Sequence, residues 1–370
     1  MSFFSIVEQY RDFDFTGFFE RVTAADVERS LSREKLSAMD FLTLLSPRAA
    51  GHLEQMAQRA HRLTLQYFGR TVQMFMPLYI SNYCTNGCAY CGFNHKNPIL
   101  RRTLTLAEIE AEARAMAATG MRHVLFLTGE APQVTPMTYL GEAARCLKRY
   151  FASVAIELYP LEVDEYRQLA EAGVDSMTLF QETYDQEVYR RVHPAGRKRD
   201  YLWRLDAPER AARAGLRGVN LGALLGLAEP RRDLFHTGLH ARYLEHTFLD
   251  TEVAISLPRF NEAECGEFRP DYTVDDKTFV QFMTALRLFL PRAGMTVSTR
   301  ESAEFRARIL PLGATRYSAA SSTGVGGYTA TPAEQTPQFE ITDTRSVEEV
   351  AAAITAQGYQ PVYKDWDAIA

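Results

Sequence analysis

The chain has 370 residues, of which 46% are hydrophobic and 24% are charged, a composition typical of a globular protein. A formal net charge of −5 and the lack of a long basic tract argue against a nucleic-acid-binding protein. The local basic patch RRVHPAGRKR, at 190–199, is interpreted as a solvated loop. No apolar run reaches the length of about eighteen residues that a membrane span needs, so no such span is expected.

The N-terminal stretch MSFFSIVEQYRDFDF lacks the long apolar core of a secretory signal. The chain has five cysteines, an odd number, and three of them are crowded together. This pattern does not describe a disulfide framework. We therefore expect a reducing, cytoplasmic compartment.

Residues 1–70 are predicted to form a helical N-terminal extension. Thr23 is a suitable N-cap for the segment TAADVERSLSR. The later segment SPRAAGHLEQMAQRAHRLTLQYFG carries apolar residues at helical spacing up to Gly69. Further along the chain, Thr105 and Glu108 form a capping-box pattern, and Gly120 is placed to end the helix that they begin.

From residue 71 onwards, short apolar runs alternate with amphipathic helices. This rhythm predicts an α/β fold, a parallel (β/α)8 barrel of the TIM type over 71–320, with a small C-terminal appendage over 321–370. Within the appendage, the Gly-, Ser-, Thr- and Pro-rich segment 321–338 is predicted to be mobile, and a lid over the barrel mouth is a hypothesis for its role that the sequence leaves open. The eight predicted strands are 72–80, 123–129, 154–160, 176–182, 218–226, 252–258, 295–300 and 315–320.

Polar residues follow most of the predicted strands, in the segments CTNGCAYC, TGE, ELYP, QETY, LPRF and STRE. In a parallel barrel the carboxyl ends of the strands lie on one face, where the active site is found. The sequence therefore predicts a functional site at that face.

The densest of these segments carries Cys84, Cys88 and Cys91 in the spacing C-x3-C-x2-C. Thiolates are the usual ligands of iron–sulfur clusters, and three of them leave one iron of a four-iron cluster open. The rival interpretations are a zinc site completed by His95 and a redox pair of Cys88 and Cys91. Of the other two cysteines, Cys146 is predicted to lie in the core, and Cys265 receives no role.

Tyr90 precedes the third cysteine, and the chain also contains PLYISNYCTNGCAYCGF, LFLTGE, QETY, WRLDAPERAARAGL, LGALLGL, STRE and ITAQGYQPVYKDWD. The cysteine motif resembles that of the radical S-adenosylmethionine (radical SAM) enzymes. The ordered set resembles, along nearly the whole chain, the tyrosine lyases of bacterial thiamine biosynthesis, the 2-iminoacetate synthase family.

This resemblance implies that Cys84, Cys88 and Cys91 hold a 4Fe-4S cluster whose open iron binds S-adenosyl-L-methionine, the cosubstrate. Five positions match residues that bind the cosubstrate in the family. Tyr90 matches the aromatic residue near the adenine, and Gly129 with Glu130 matches the motif that receives the methionine ammonium. Glu157 and Arg204 are similar in placement to residues that hold the ribose and the carboxylate.

For the substrate, Arg300 is similar to the arginine that pairs with the amino acid carboxylate in this branch. Ser318 is placed to add a hydroxyl to the same group, and Tyr79 matches an aromatic residue close to the substrate amine. Arg259 and the run from Gln181 to Tyr184 are expected to point towards the barrel mouth, without separate roles.

The implied reaction is cleavage of the Cα–Cβ bond of L-tyrosine to 2-iminoacetate (dehydroglycine) and p-cresol, with 5′-deoxyadenosine and methionine from the cosubstrate. The implied partners are thiazole synthase and an electron donor such as reduced flavodoxin. One alternative is cleavage of another aromatic amino acid such as tryptophan. Another is the tyrosine lyase of hydrogenase maturation, against which the absence of cysteines after Cys265 argues. Two further alternatives are not enzymes. One is an iron–sulfur protein that serves as an electron relay or scaffold, and the other is a zinc-stabilised binding protein.

Overall fold

A computed structural model describes residues 2–262, 268–329 and 336–364. Its centre is a barrel of eight parallel strands, with a ninth short strand outside. The strands are β1 (Thr71–Ser81), β2 (His123–Thr128), β3 (Ser153–Glu157), β4 (Ser176–Glu182), β5 (Gly218–Ala223), β6 (Glu252–Ser256), β7 (Gly294–Val297), β8 (Arg316–Ser318) and β9 (Gln360–Val362).

The barrel closes through β1, which pairs with β8 at its beginning and with β2 along its end. Gln73 lies opposite Arg316 of β8, and Met76 lies opposite Val124 of β2. β9 pairs with the first residues of β1, and Gln73 of β1 lies opposite a residue of β8 on one side and a residue of β9 on the other. β9 therefore lies on the same edge of β1 as β2, outside the closed ring.

Helices precede the barrel and connect most of its strands. The described residues form α1 (Phe3–Gln9), α2 (Phe15–Arg21), α3 (Ala24–Ser32), α4 (Ala38–Leu45), α5 (Leu53–Phe68), α6 (Leu106–Ala118), α7 (Met137–Lys148), α8 (Val163–Glu171), α9 (Gln186–Val192), α10 (Tyr201–Leu205), α11 (Ala207–Arg213), α12 (Pro230–Thr247), α13 (Asp276–Phe289), α14 (Ala303–Ile309) and α15 (Val347–Ala356). Short 3-10 helices lie at Pro47–His52, Arg197–Arg199 and Leu310–Leu312. No helix in these ranges is both long and apolar enough to cross a membrane.

The predicted fold class is confirmed, and all eight predicted barrel strands are present. The predicted caps form as well: Thr23 and Thr105 each accept a backbone N–H of the first helical turn. Gly120, with φ of +90°, follows the end of α6 in the left-handed region that glycine tolerates. The division of the chain at residues 70 and 320 remains a prediction.

The N-terminal helices share one hydrophobic core with the barrel helices. Phe41 of α4 stacks on Phe289 of α13 with ring centroids 4.3 Å apart. Gly238 of α12 makes room for this stack, because a Cβ atom there would lie 2.5 Å from Cε1 of Phe41. The N-terminal helices α4 and α5 therefore pack against the outer helices α12 and α13 of the barrel.

Candidate active site

The barrel interior holds a cavity with a volume of about 210 Å³. Six of the eleven residues to which the sequence assigned a site role line it: Tyr79, Tyr90, Cys91, Glu157, Arg300 and Ser318. Glu182, from the run that was expected to point towards the barrel mouth, lines it as well. Cys91, one of the three cysteines of the motif, therefore lies in the same cavity as Arg300 and Ser318, the two residues predicted to bind a substrate carboxylate. The others lie around this cavity without lining it: Cys84, Cys88, Gly129, Glu130 and Arg204.

The cysteine loop follows β1 and is held in shape by Arg101. The Arg101 guanidinium donates hydrogen bonds to the carbonyl oxygens of Asn82 at 2.7 Å and Phe93 at 2.9 Å, at the two ends of the cysteine motif. A backbone hydrogen bond of 3.3 Å from Cys91 N to Cys88 O closes a turn between these two thiols. The loop therefore has a defined shape that the protein provides by itself.

The thiols of this loop lie in a poor environment for bare negative charge. Burial raises the pKa of Cys88 to about 12, although Lys198 opposes the shift. Burial and the neighbouring Cys84 thiol also raise the pKa of Cys91. The two thiols are therefore protonated at neutral pH unless a cation compensates their charge, as the iron of a cluster does.

Gly129 and Glu130 lie directly against the cysteine loop. A Cβ atom at Gly129 would lie 2.3 Å from the carbonyl oxygen of Tyr83, so only glycine permits this approach. The Glu130 Oε2 atom accepts a hydrogen bond of 2.6 Å from Asn86. Its other carboxylate oxygen, Oε1, is buried and has no partner among the described residues. An orphaned carboxylate oxygen beside the loop fits a cationic amine.

A buried charge cluster stands beside the cysteines. Glu182 ends β4 with φ of +73°, a strained conformation for a residue with a side chain. Its carboxylate accepts a hydrogen bond of 2.6 Å from Lys198 Nζ and lies 3.4 Å from a terminal nitrogen of Arg204. Burial alone would raise the pKa of Glu182, but Lys198 and Arg204 outweigh it and hold this pKa below its usual value. Two cations face one anion, which leaves an excess positive charge that suits a carboxylate ligand.

The segment 190–199 was predicted to be a solvated loop, but the side chain of Lys198 within it is largely buried. Its side chain is 14% exposed and lines the cavity, and its backbone N–H donates to Asn86 Oδ1 at 3.0 Å. Arg197 and Arg199 on either side are exposed. No sequence pattern separates Lys198 from these neighbours, because its partners Asn86 and Glu182 are distant in the chain.

Tyr90 is fixed by a hydrogen bond of 2.7 Å between its hydroxyl and Nε2 of His193. Its ring also lies edge-on to Phe268, with centroids 6.4 Å apart. Both contacts hold an aromatic face at the cavity wall, the arrangement required for packing against a flat base.

Glu157, at the end of β3, lines the cavity and has a perturbed carboxyl pKa. Burial raises its pKa to about 7, with Glu182 adding to the shift and Arg300 and Arg204 opposing it. Near neutral pH this side chain therefore donates or accepts a hydrogen bond with similar ease.

Three predicted residues gather at another part of the cavity wall. Within the described ranges, the Arg300 guanidinium makes no hydrogen bond, and its central carbon lies 3.3 Å from the centroid of the Phe339 ring. Ser318 Oγ accepts the N–H of Thr299 at 3.0 Å, which leaves its own O–H able to donate. The Tyr79 hydroxyl donates to Oε1 of Gln338 at 2.7 Å. A guanidinium and a hydroxyl with unused donors fit a carboxylate.

Other residues singled out from the sequence serve the scaffold. Arg259 pairs with Glu301 and with Asp276, so its charge is used within the protein. The Thr183 hydroxyl and the Tyr184 backbone both donate to Asp233, at 2.9 and 2.8 Å.

The remaining two cysteines lie apart from the cysteine loop. Cys146 is buried in α7, where its sulfur accepts a hydrogen bond of 3.2 Å from Arg149. Cys265 lies outside the described residues, as do positions 330–335 of the predicted lid.

Two family models match the chain. Residues 78–237 match the radical SAM superfamily, and residues 256–360 match the Biotin and Thiamin Synthesis associated domain. The first range contains the three loop cysteines, Glu130 and the charge cluster around Glu182. The second range contains Arg300 and Ser318.

The chain is 43% identical to the 2-iminoacetate synthase of Escherichia coli (strain K12), over 93% of this chain and 91% of the relative. It is 41% identical to the 2-iminoacetate synthase of Salmonella typhimurium (strain LT2) with the same coverage. The X-ray structure of the FeFe-hydrogenase maturase HydG from Carboxydothermus hydrogenoformans is 30% identical and has a TM-score of 0.83, covering 98% of this chain and 83% of that chain. The chain therefore belongs to the radical SAM superfamily and, within it, to the family of 2-iminoacetate synthases.

Proposed function

We propose that this protein cleaves the Cα–Cβ bond of L-tyrosine to give 2-iminoacetate and p-cresol. One observation carries the proposal: a single cavity is lined both by Cys91 of the cysteine loop and by Arg300 and Ser318, which have donors available for an amino acid carboxylate. Higher identity to the synthases, 43%, than to the hydrogenase maturase, 30%, favours this function over the maturation reaction.

In this proposal Cys84, Cys88 and Cys91 hold a 4Fe-4S cluster. Their fit rests on three thiols in C-x3-C-x2-C spacing on one loop, which Arg101 holds in shape. When bound and reduced by one electron, the cluster would supply the reductive cleavage of S-adenosylmethionine to methionine and a 5′-deoxyadenosyl radical.

The cosubstrate is recognised by the groups around the cysteine loop. The unpartnered oxygen of Glu130 accepts from the methionine ammonium. The excess positive charge of Lys198 and Arg204 over Glu182 attracts the carboxylate. Tyr90, held by His193, provides an aromatic face for the adenine.

Tyrosine is held by the residues at the ends of β7 and β8. The guanidinium of Arg300 and the hydroxyl of Ser318 bind its carboxylate. Glu157, in the same cavity, binds the ribose of the cosubstrate. The barrel wall excludes water from the reactive species, which protects both the radical and the iminoacetate product.

Direct transfer of 2-iminoacetate to thiazole synthase follows from its rapid hydrolysis in water, and reduced flavodoxin or a similar donor provides the electron. The reducing cytoplasm is the compartment that suits thiols and a reduced cluster.

The test is to reconstitute the protein with iron and sulfide without oxygen, reduce it, and add S-adenosylmethionine with L-tyrosine. Mass spectrometry is expected to detect 5′-deoxyadenosine and p-cresol, and Cys88→Ala is expected to abolish both. Cys146→Ala is the matched control, since Cys146 is a buried cysteine of α7 apart from the loop, and it is expected to retain both products.

Two other outcomes would contradict the proposal. 5′-Deoxyadenosine without p-cresol would indicate another substrate, such as tryptophan. Neither product from protein with an intact cluster would indicate an electron relay or a scaffold.

A further inference from the structure

Residues 336–340, which we name the strap, cross the cavity between the cysteine loop and the end of β7. Gln338 and Phe339 both line the cavity. Phe339 covers one face of the Arg300 guanidinium, at 3.3 Å. The strap thus joins the part of the cavity with the cysteine loop to the part with Arg300.

The strap is tied to both sides by its backbone. The N–H of Gly92, directly after Cys91, donates to Gln338 O at 3.1 Å, and Gln338 N donates to Thr323 O at 3.1 Å. Beyond Phe339, Glu340 N donates to Glu262 O at 3.1 Å. The position of Gln338 is therefore fixed by the fold and not by its side chain alone.

Gly92 shows how closely the strap approaches the cysteine loop. A Cβ atom at this position would lie 2.6 Å from the carbonyl oxygen of Pro337 and 2.8 Å from that of Gln338. Contacts of this length with backbone atoms do not occur, so a glycine after the third cysteine is a condition for this approach.

The Gln338 side chain uses both ends of its carboxamide inside the cavity. Its oxygen accepts the Tyr79 hydroxyl at 2.7 Å, and its nitrogen donates to the sulfur of Cys91 at 3.7 Å. A Cys91 thiolate that binds a metal carries no proton and can only accept, so the carboxamide nitrogen is the end that faces it, and the carboxamide oxygen is left to accept the Tyr79 hydroxyl. The N–H group is thereby aimed at the sulfur.

We propose that Gln338 is a positioning residue that links the substrate pocket to the cluster, by holding the Tyr79 hydroxyl and donating a hydrogen bond to the Cys91 sulfur. This inference rests on the proposed function, because it requires that Cys91 binds a cluster. Donors to a cluster sulfur stabilise the reduced state, which carries one more negative charge, and so raise the reduction potential.

The test compares the reduction potential of the reconstituted cluster in three proteins, without S-adenosylmethionine or tyrosine, by a redox titration followed by electron paramagnetic resonance. Gln338→Glu keeps the shape and the acceptor for Tyr79 but replaces the N–H donor with a carboxylate oxygen. We expect its potential to shift to a more negative value than that of the unaltered protein.

Gln357→Glu, at an exposed position after α15, makes the same change of charge away from the cavity and is expected to leave the potential unchanged. Gln338→Met, which removes the donor without adding charge, provides a second measurement if Gln338→Glu does not assemble its cluster. It is expected to shift the potential in the same direction by a smaller amount.

Equal potentials in the unaltered protein and in the Gln338 variants would overturn the inference. So would a shift of equal size in Gln357→Glu. Neither result would affect the proposed lyase activity, which is contradicted instead by the absence of a cluster or of p-cresol from the unaltered protein.

Discussion

Single side chains set the charge at the cysteine end of the cavity. The one carboxylate of Glu182 compensates two buried cations, and the thiols beside them have a raised pKa. Each of these groups would be costly to bury alone, and in the proposed function a carboxylate ligand and the iron of a cluster balance their charges. The residues of this site are therefore arranged for ligands and not for the stability of the empty protein.

Lys198→Met tests the contribution of one of these charges. The variant removes the cation nearest to Glu182 and leaves Arg204 as its remaining partner in the cluster. A buried charged hydrogen bond contributes about 1.5–3 kcal/mol, so the affinity for S-adenosylmethionine is expected to fall roughly 10- to 100-fold. Isothermal titration calorimetry on the reconstituted protein measures this fall.

Lys35→Met, at an exposed lysine before α4, is the matched control for Lys198→Met. Equal affinities of the two variants would show that Lys198 does not contribute to cosubstrate binding.

Glu157→Gln tests the raised pKa of Glu157, with protein that lacks the cluster. The folded state holds the Glu157 proton up to about pH 7, whereas the unfolded chain releases it near the ordinary carboxyl pKa. The stability contributed by this group is therefore present at low pH and is lost as the pH rises towards 7.

Glutamine carries no such charge, so Glu157→Gln is expected to gain roughly 1–3 kcal/mol relative to the unaltered protein between pH 5 and pH 8. Urea unfolding at both pH values measures this difference. A difference that does not change with pH would contradict the raised pKa.

The sequence predicted those site residues that stand in recognisable motifs, such as the three cysteines, Glu130 and Arg300. Lys198 and Gln338 were missed because their roles come from contacts distant in the chain: Lys198 with Glu182, and Gln338 with Tyr79 and Cys91. No local sequence pattern distinguishes a buried lysine in a basic loop, or a buried glutamine in a polar segment, from a solvated residue of the same type.

Among the elements, the long β1 strand organises both the fold and the site. Its first residues pair with β8 and β9, its last residues pair with β2, and the cysteine loop follows its end. Tyr79 lies near that end and reaches the strap. A shift in the register of this strand would therefore move the cysteine loop and the substrate pocket together.

Gly238→Ala tests the contact between α4 and α12. A Cβ atom at this position would lie 2.5 Å from Cε1 of Phe41, and Phe41 is itself stacked on Phe289. Overpacking of this kind costs about 1–3 kcal/mol, which exceeds the gain of about 1 kcal/mol in helix propensity. Urea unfolding is expected to show a net loss of stability.

Gly51→Ala is the control for Gly238→Ala, since nothing lies within 4 Å of a Cβ atom at position 51. This control is expected to be neutral or slightly stabilising. A Gly238→Ala variant as stable as the control would show that the contact between α4 and α12 tolerates the added methyl group.

The barrel strands were predictable because each is an apolar run bounded by turn residues, and the caps at Thr23 and Thr105 are local patterns. β9 was not predicted as a strand, because Gln360–Val362 is short and owes its conformation to pairing with Thr71–Gln73 far away in the chain. The 3-10 helix Pro47–His52 was also missed: helical spacing favoured a single helix from there to Gly69, and the structure starts α5 at Leu53.

At the scale of the whole molecule, the barrel encloses one cavity that Cys91 and Arg300 both line. The N-terminal helices and the barrel helices share one hydrophobic core. The cysteine loop and the strap meet over the cavity at Gly92 and Gln338. In the proposed function, the part of the cavity at the cysteine loop is where the radical is generated, and the part at Arg300 binds the amino acid.

The ratio of p-cresol to 5′-deoxyadenosine in Arg300→Met tests this division most directly. The variant loses the carboxylate partner of tyrosine but keeps the cosubstrate site, so p-cresol is expected to fall about 100-fold while 5′-deoxyadenosine falls much less. Arg308→Met, at an exposed arginine of α14, is the control and is expected to keep the ratio of the unaltered protein. An unchanged ratio in Arg300→Met, with both products lost together or both retained, would contradict the account.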